Sequence, residues 1–351
     1  MSGQKSKKGG VVFLIAAIAF AVVFLALGIL RGLGIVKLPS FKSSGSNSAP
    51  RVKKDKSSPI NVNFGNFKLG KFSSGSKYVA NLYITGVIQE ANETYNQEWL
   101  LDTIEALEED EDNVGIMLVI DSPGGSVYEA DEAYLALRKY KNSGKQIWAY
   151  FKSMAASGGY YIACAADSIY ANRNTMTGSI GVIIGPAVDA TGLLDKLGIK
   201  ATNFASGKNK GMLSYNEPLT DEQRQIMQGL VDECYEQFVD IVASARKMGS
   251  KDVKALADGR VYTAKQAKEN GLIDAVGTLE NAQDRMKEKL GIVLNLSGDD
   301  LDGVEFLDYE YQFNPPLMRR FFDSIAGDSL RKAVDKTFGP DIRYPAYLFR
   351  Y

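Results

Sequence analysis

Histidine is absent from all 351 residues. That gap removes the Ser-His-Asp triad, the Cys-His pair and the H-E-x-x-H zinc site together, so an activated nucleophile in this chain must use another base. Cysteine is nearly absent as well. Cys164 and Cys234 form no ligand or redox spacing and lie in segments that read as helical, so both are expected to be small core residues. No phosphate loop is present: around Gly207-Lys208 the pattern needs glycine at 202 and Ser or Thr at 209, and the chain has Thr202 and Asn209. Acidic residues are scarce at the start. Residues 1–60 hold ten Lys/Arg against Asp55, a balance of +9 that leaves −10 for residues 61–351 within a total of −1. Nothing in this inventory calls for a metal, a cofactor or a nucleic acid.

What is there begins with residues 11–30, twenty positions without a charge. As a helix they would extend about 30 Å, the thickness of a bilayer's hydrocarbon core, and the run is too long for a cleaved leader. The expected organisation is a basic segment (1–10), a transmembrane anchor (11–30), a basic Ser/Lys-rich linker (31–76), a catalytic domain (77–290) and an aromatic-rich tail (291–351). Charge does not orient the anchor, because Lys5, Lys7 and Lys8 on one side face Arg31, Lys37 and Lys42 on the other. The linker's lysines suit anionic lipid headgroups.

Past residue 77 the pattern alternates. Apolar strands are expected over 78–84, 114–120, 146–151, 168–171 and 180–184, with helices over 127–141, 160–166 and 221–247 and another closed by Gly271. Buried strands linked by helices indicate an α/β domain with a mainly parallel sheet. Ser126 with Glu129 is expected to form a capping box, and Thr220 to cap the long helix that turns Ile226, Leu230, Tyr235, Phe238 and Ile241 inward. Ser157 falls where the strand over 146–151 gives way to the next helix. It either caps that helix or acts as a nucleophile whose oxyanion would meet the helix's free N–H groups. Without histidine its base would be a lysine. At a reference pKa of about 10.4 a lysine is roughly 0.1% neutral near neutrality, so desolvation or a neighbouring cation must assist it.

Three segments, Asp121-Ser122-Pro123-Gly124-Gly125, then Ser153 through Ser157-Gly158-Gly159-Tyr160-Tyr161, then Thr177-Gly178-Ser179-Ile180-Gly181-Val182, resemble those of the signal peptide peptidase (SppA, protease IV) family. Gly259-Arg260-Val261-Tyr262-Thr263 and Gly271-Leu272-Ile273-Asp274 extend the likeness over about 78–277. The resemblance implies a Clp/crotonase-like fold in its short, one-repeat form. It also implies a serine endopeptidase with Ser157 as nucleophile, Lys210 as general base, Gly125 and Gly158 as oxyanion-hole donors and Ser179 orienting the lysine. Lys208 is either a solvated loop residue or a second cation beside Lys210. The implied partners are released signal peptides and other apolar peptides, membrane lipid, and further copies of the chain in a ring. The implied location is the cytoplasmic membrane, with the catalytic domain on its outer side.

Two other readings stand beside it: a related Ser/Lys protease that processes membrane proteins, and a non-catalytic scaffold of the same fold. The tail poses its own question. Residues 301–351 hold eleven of the 36 aromatics, and these rings either pack on the assembly or serve, through 344–349, as a strand laid into the substrate groove.

Overall fold

The structure, a computed structural model, describes residues 77–313 and the strand Ala346–Leu348. The expected anchor, its basic flank, the linker and most of the tail lie outside the described residues. Among the described residues no helix is long and apolar enough to cross a membrane.

In chain order the elements are β1 (Tyr78–Thr85), α1 (Gln97–Glu109), β2 (Asn113–Ser122), β3 (Gly124–Ser126), α2 (Val127–Asn142), β4 (Gln146–Ala156), α3 (Gly158–Ala163), β5 (Ser168–Ala171) and β6 (Met176–Gly178). Then come α4 (Thr191–Lys196), α5 (Asp221–Arg246), α6 (Ser250–Leu256), β7 (Val261–Thr263), α7 (Ala264–Glu269), β8 (Ala275–Val276), α8 (Leu279–Leu294), α9 (Asp299–Asp302), β9 (Glu305–Tyr309) and β10 (Ala346–Leu348). The main sheet runs β7-β6-β4-β2-β1-β9, with β5 on β4 and β8 on β5. Within this sheet, among the described residues, the β6–β7 pair alone is antiparallel, and a separate antiparallel pair joins β10 to β3; the expected mainly parallel α/β domain is what forms.

The reason lies in β2. Its residues 114–120 are apolar on both faces and fully buried, which suits a central strand covered by helices on both sides. On one face Ile116, Leu118 and Ile120 join Leu100, Ile104, Leu137 and Phe238 from α1, α2 and α5. On the other, Met117 and Val119 join Met286 and Leu290 of α8. A cleft of about 430 Å³ opens on this second face, lined by Tyr83, Val119, Tyr150, Lys152 and Asn172, and it does not include Ser157.

Several expectations change. β4 does not stop at Phe151 but continues to Ala156, because Lys152 and Ser153 form a bulge: Ile120 pairs Phe151, yet Ser122 pairs Ala155. No named strand forms over 180–184. The strand is β6, and the chain leaves the sheet at Ser179, whose φ of 49° breaks the extended run. Ser126 precedes α2 without capping it; its hydroxyl donates instead to the Glu129 carboxylate. Thr220 does cap α5, in a full box with Gln223. Along α5, however, Phe238 is buried while Ile226 and Leu230 are exposed, since none of the described residues covers them. The sheet also reaches into the segment expected as tail: β9 pairs with β1, Phe306 packs on the α8 side, and Tyr309 stacks on Tyr78.

Candidate active site

Ser157 stands between β4 and α3 with φ 54° and ψ −119°. A side chain tolerates that conformation only where its surroundings impose it, at roughly 1–3 kcal/mol. They do so from three directions. The Asp121 carboxylate spans the β4 bulge, accepting from the Ser153 hydroxyl and from the Met154 N–H at 3.1 Å. Thr177 Oγ1 donates to the Ala155 carbonyl at 2.6 Å, and the Ser157 N–H donates to the Gly178 carbonyl at 2.8 Å. Tyr160 and Tyr161 anchor α3 behind it, donating to the Leu272 carbonyl (2.7 Å) and the Asp131 carboxylate (2.6 Å). The arrangement is a strand–sharp turn–helix, the device that presents a nucleophilic serine at the top of a parallel sheet.

The capping role is excluded. Ser157 makes no side-chain cap bond, and its Oγ is buried with no hydrogen-bond partner among the described residues. The residue is 1% exposed. A buried hydroxyl left unsatisfied costs about 1–3 kcal/mol, so its position calls for an explanation.

Gly158 opens α3, where the first N–H groups have no intrahelical acceptor. Gly159 lies against Ser122, with a Cβ there only 3.2 Å from the Ser122 carbonyl oxygen, so α3 and the Pro-Gly-Gly turn are in contact. Gly125 is held by Ile88: the Ile88 N–H donates to the Gly124 carbonyl (2.9 Å) and the Ser126 N–H to the Ile88 carbonyl (2.8 Å). A Cβ on Gly125 would fall 1.8 Å from the Ile88 carbonyl oxygen, so only glycine fits. Ser179 is buried one residue beyond the Gly178 carbonyl that holds Ser157, with its N–H on the Arg260 carbonyl at 2.8 Å. Four of the five expected residues therefore converge.

Lys210 does not join them. Its side chain is exposed and, among the described residues, has no hydrogen-bond or ion-pair partner, so it is not bonded to Ser157 Oγ, which has none either. Its loop is tied instead to the start of α5. Glu222 forms an ion pair with Lys208 and accepts from Asn209 Nδ2 at 3.3 Å. Among the described residues Lys145 is the ammonium whose pKa burial lowers, but it sits before β4, at the far end of an 11-residue strand from Ser157. Burial pushes the Cys164 thiol up to about 12, so no thiolate competes as nucleophile.

Sequence reasoning missed Asp121 and Ile88 as positioning residues. Asp121 was visible only as part of a turn motif; that it staples a bulge 32 residues away in sequence has no local signature.

The family model for peptidase family S49 matches residues 139–293. A putative protease from Synechocystis, slr0021, is 36% identical over 269 residues, covering 76% of this chain and 90% of that protein. This chain belongs to peptidase family S49. Within this family of serine peptidases, the putative signal peptide peptidase SppA of Enterococcus faecium is 39% identical over 62% of this chain and 64% of that protein. Protease 4 of Salmonella typhi is 32% identical over 60% of this chain. The chain spans less than two thirds of the Enterococcus relative and 32% of the Salmonella one.

Proposed function

We propose that this S49 chain is a membrane-anchored serine endopeptidase that degrades signal peptides after their release, with Ser157 as nucleophile and Lys210 as general base. One observation carries the reading. In a chain without histidine, a serine at a helix start is held in a strained turn with its hydroxyl buried and, among the described residues, unpartnered. In the proposed reaction Lys210 takes the Ser157 proton as Oγ attacks the scissile carbonyl. The N–H groups of Gly125 and Gly158 receive the oxyanion, and Ser179 orients the ammonium.

The lysine must then be brought to the serine, and a neighbouring copy is the means we propose. The arm around Lys210 exposes Leu193, Leu197, Phe204 and Tyr215, followed by Ile226 and Leu230 on α5, with Phe204 97% and Leu197 62% exposed. So many apolar side chains along one stretch mark a protein interface. A homo-oligomeric ring would bury this arm and desolvate Lys210. Residues 11–30 would anchor the ring with its catalytic domains outside the cytoplasmic membrane.

The experiment is labelling with a fluorophosphonate in detergent-solubilised full-length protein, with the modified peptide located by mass spectrometry. Label on Ser157, absent from Ser157→Ala and Lys210→Ala, is the expected result. An unlabelled wild-type chain would leave the fold serving as a scaffold.

A further inference from the structure

The cleft on the α8 face takes no part in the reaction proposed above, yet its lining is that of a binding site. It lies toward the carboxyl ends of the parallel strands β1, β2, β4 and β5, where α/β sheets receive ligands. Its volume of about 430 Å³ has room for the end of a peptide. Tyr83, Val119 and Leu279 give it apolar walls. Tyr150, also in the lining, is only 6% exposed, and its hydroxyl has no hydrogen-bond partner among the described residues. A hydroxyl so placed is satisfied from the cleft or not at all. The Lys152 ammonium on the same wall has no ion pair among the described residues. Asn172 Oδ1 accepts from the Asn174 N–H at 3.0 Å, which leaves the amide nitrogen of Asn172 as its free end. Among the described residues no carboxylate lines the cleft, and those bonded to its walls are engaged. Asp308 accepts from Asn81 Nδ2 at 2.8 Å and from the Tyr83 hydroxyl at 3.3 Å, and Asp121 accepts from Ser153 and Met154.

Donors without acceptors, one uncompensated positive charge and apolar walls define their complement, an apolar body that ends in a carboxylate. We propose that the cleft binds the C-terminal carboxylate of a short apolar peptide, with Lys152 and Tyr150 on the carboxylate and the last side chain against Val119 and Leu279. The choice of a peptide rests on the peptidase reading above: each cut at Ser157 leaves a new C-terminal carboxylate, so the ligand is the enzyme's own product. The cleft does not include Ser157, but it shares Ser153 with the frame that holds it. Through the Ser153 hydroxyl Asp121 spans the β4 bulge, so a carboxylate drawn to Lys152 competes with Asp121 for that hydroxyl. Occupancy loosens the bulge that aims Ser157 and lowers kcat, which makes the cleft a product brake on the opposite side of the sheet from α3.

Isothermal titration of full-length Ser157→Ala protein in detergent, against an empty-micelle blank, tests the site without turnover. N-acetyl-leucyl-leucine should bind with a dissociation constant on the order of 0.1–1 mM. Its C-terminal amide should bind at least about 10-fold more weakly, as should the acid to a form carrying Lys152→Glu, whereas Lys152→Arg should hold the acid within about 3-fold. Tyr150→Phe, which keeps the ring's packing, should weaken binding by about 3-fold or more. Absence of saturable binding, or equal binding of acid and amide, would overturn the site, as would full affinity in Lys152→Glu. Octanoate carries the same chemistry from a lipid source, and tighter binding of octanoate than of the peptide would overturn the peptide assignment. With Ser157 intact, saturating N-acetyl-leucyl-leucine should lower kcat for a fluorogenic peptide on the order of 5-fold at unchanged KM, and Lys152→Glu should abolish that inhibition. A rise in KM alone, untouched by Lys152→Glu, would put the product in the substrate groove and overturn the brake. If the acid binds through Lys152 while the Ser157-intact protein cleaves no peptide, the site stands and the peptidase reading falls.

Discussion

Ser157 and Lys210 are 53 positions apart in one chain, yet they stand in surroundings of opposite kind. Around Ser157 every neighbouring element is buried and hydrogen-bonded: Asp121 staples the bulge, Gly178 holds the N–H, and Tyr160 and Tyr161 fix the helix behind it. Around Lys210 the helix α4 has no buried residue, and the loop is held by exposed bonds such as those to Glu222 and between Asn203 and Asn216. The difference teaches that strain needs an over-determined frame, which surrounds Ser157, whereas a lysine proposed as base needs desolvation, which the described residues do not give Lys210. On this account the nucleophile is preorganised within the subunit and the base arrives with assembly.

The largest effects should come from the two residues themselves. Ser157→Ala and Lys210→Ala should each lower kcat by at least about 10³-fold in a peptide hydrolysis assay, and the double variant should be no worse. Their effects on stability should differ. Removing the buried hydroxyl should raise the unfolding free energy by about 1 kcal/mol, whereas Lys210→Ala should leave it within about 0.5 kcal/mol. If Ser157→Ala were clearly destabilised, the frame would not be storing strain.

Next comes a contrast between packing inside the subunit and packing on the arm. Phe238→Ala in the core should cost about 3–5 kcal/mol in urea unfolding. Leu197→Ala should cost less than about 0.5 kcal/mol in the isolated subunit but shift the oligomer toward smaller species by mass photometry. Equal destabilisation by both would mean that the arm is already packed within the chain.

Asp121→Ala should be smaller still, lowering kcat on the order of 10-fold with little change in KM, because it aims the serine without touching substrate. A pure KM effect would move Asp121 into substrate binding.

The smallest effect is a pH dependence at the back of the site. Burial works to raise the Asp274 carboxyl, but the Arg246 guanidinium and the Ile169 N–H outweigh it, and the group is held below its usual value of 3.8. A depressed folded pKa means stabilisation that is fully present above the unfolded value and is lost as pH falls through the folded one. Stability should therefore decline below about pH 4 in the wild type. Asp274→Asn should be less stable at pH 7 but show a shallower loss there; an identical acid limb would remove Asp274 from the account.

Much of this frame was legible beforehand. The alternation of apolar strands and helices placed β2 and the β4–α3 junction, and Thr220 marked the start of α5, which ends one residue before the expected Lys247 in a left-handed cap. The continuation of β4 was hidden because the polar bulge residues Lys152 and Ser153 interrupt the apolar run that signals a strand. β9 was hidden because a five-residue edge strand has little pattern of its own and is fixed by pairing with β1, more than 200 residues earlier. For the site, Ser157, Gly158, Gly125 and Ser179 could be named from motifs. The exposed position of Lys210 could not, since its loop carries no periodic pattern that would place it.

The most direct measurement is the rate of fluorophosphonate labelling at Ser157 in wild-type protein and in a Leu193→Asp, Leu197→Asp form that disrupts the exposed arm. The account predicts that the dispersed form folds, with an unchanged near-ultraviolet spectrum, yet labels as slowly as Lys210→Ala. Full-rate labelling of a dispersed, folded subunit would contradict it, because the base would then reach Ser157 without a neighbour.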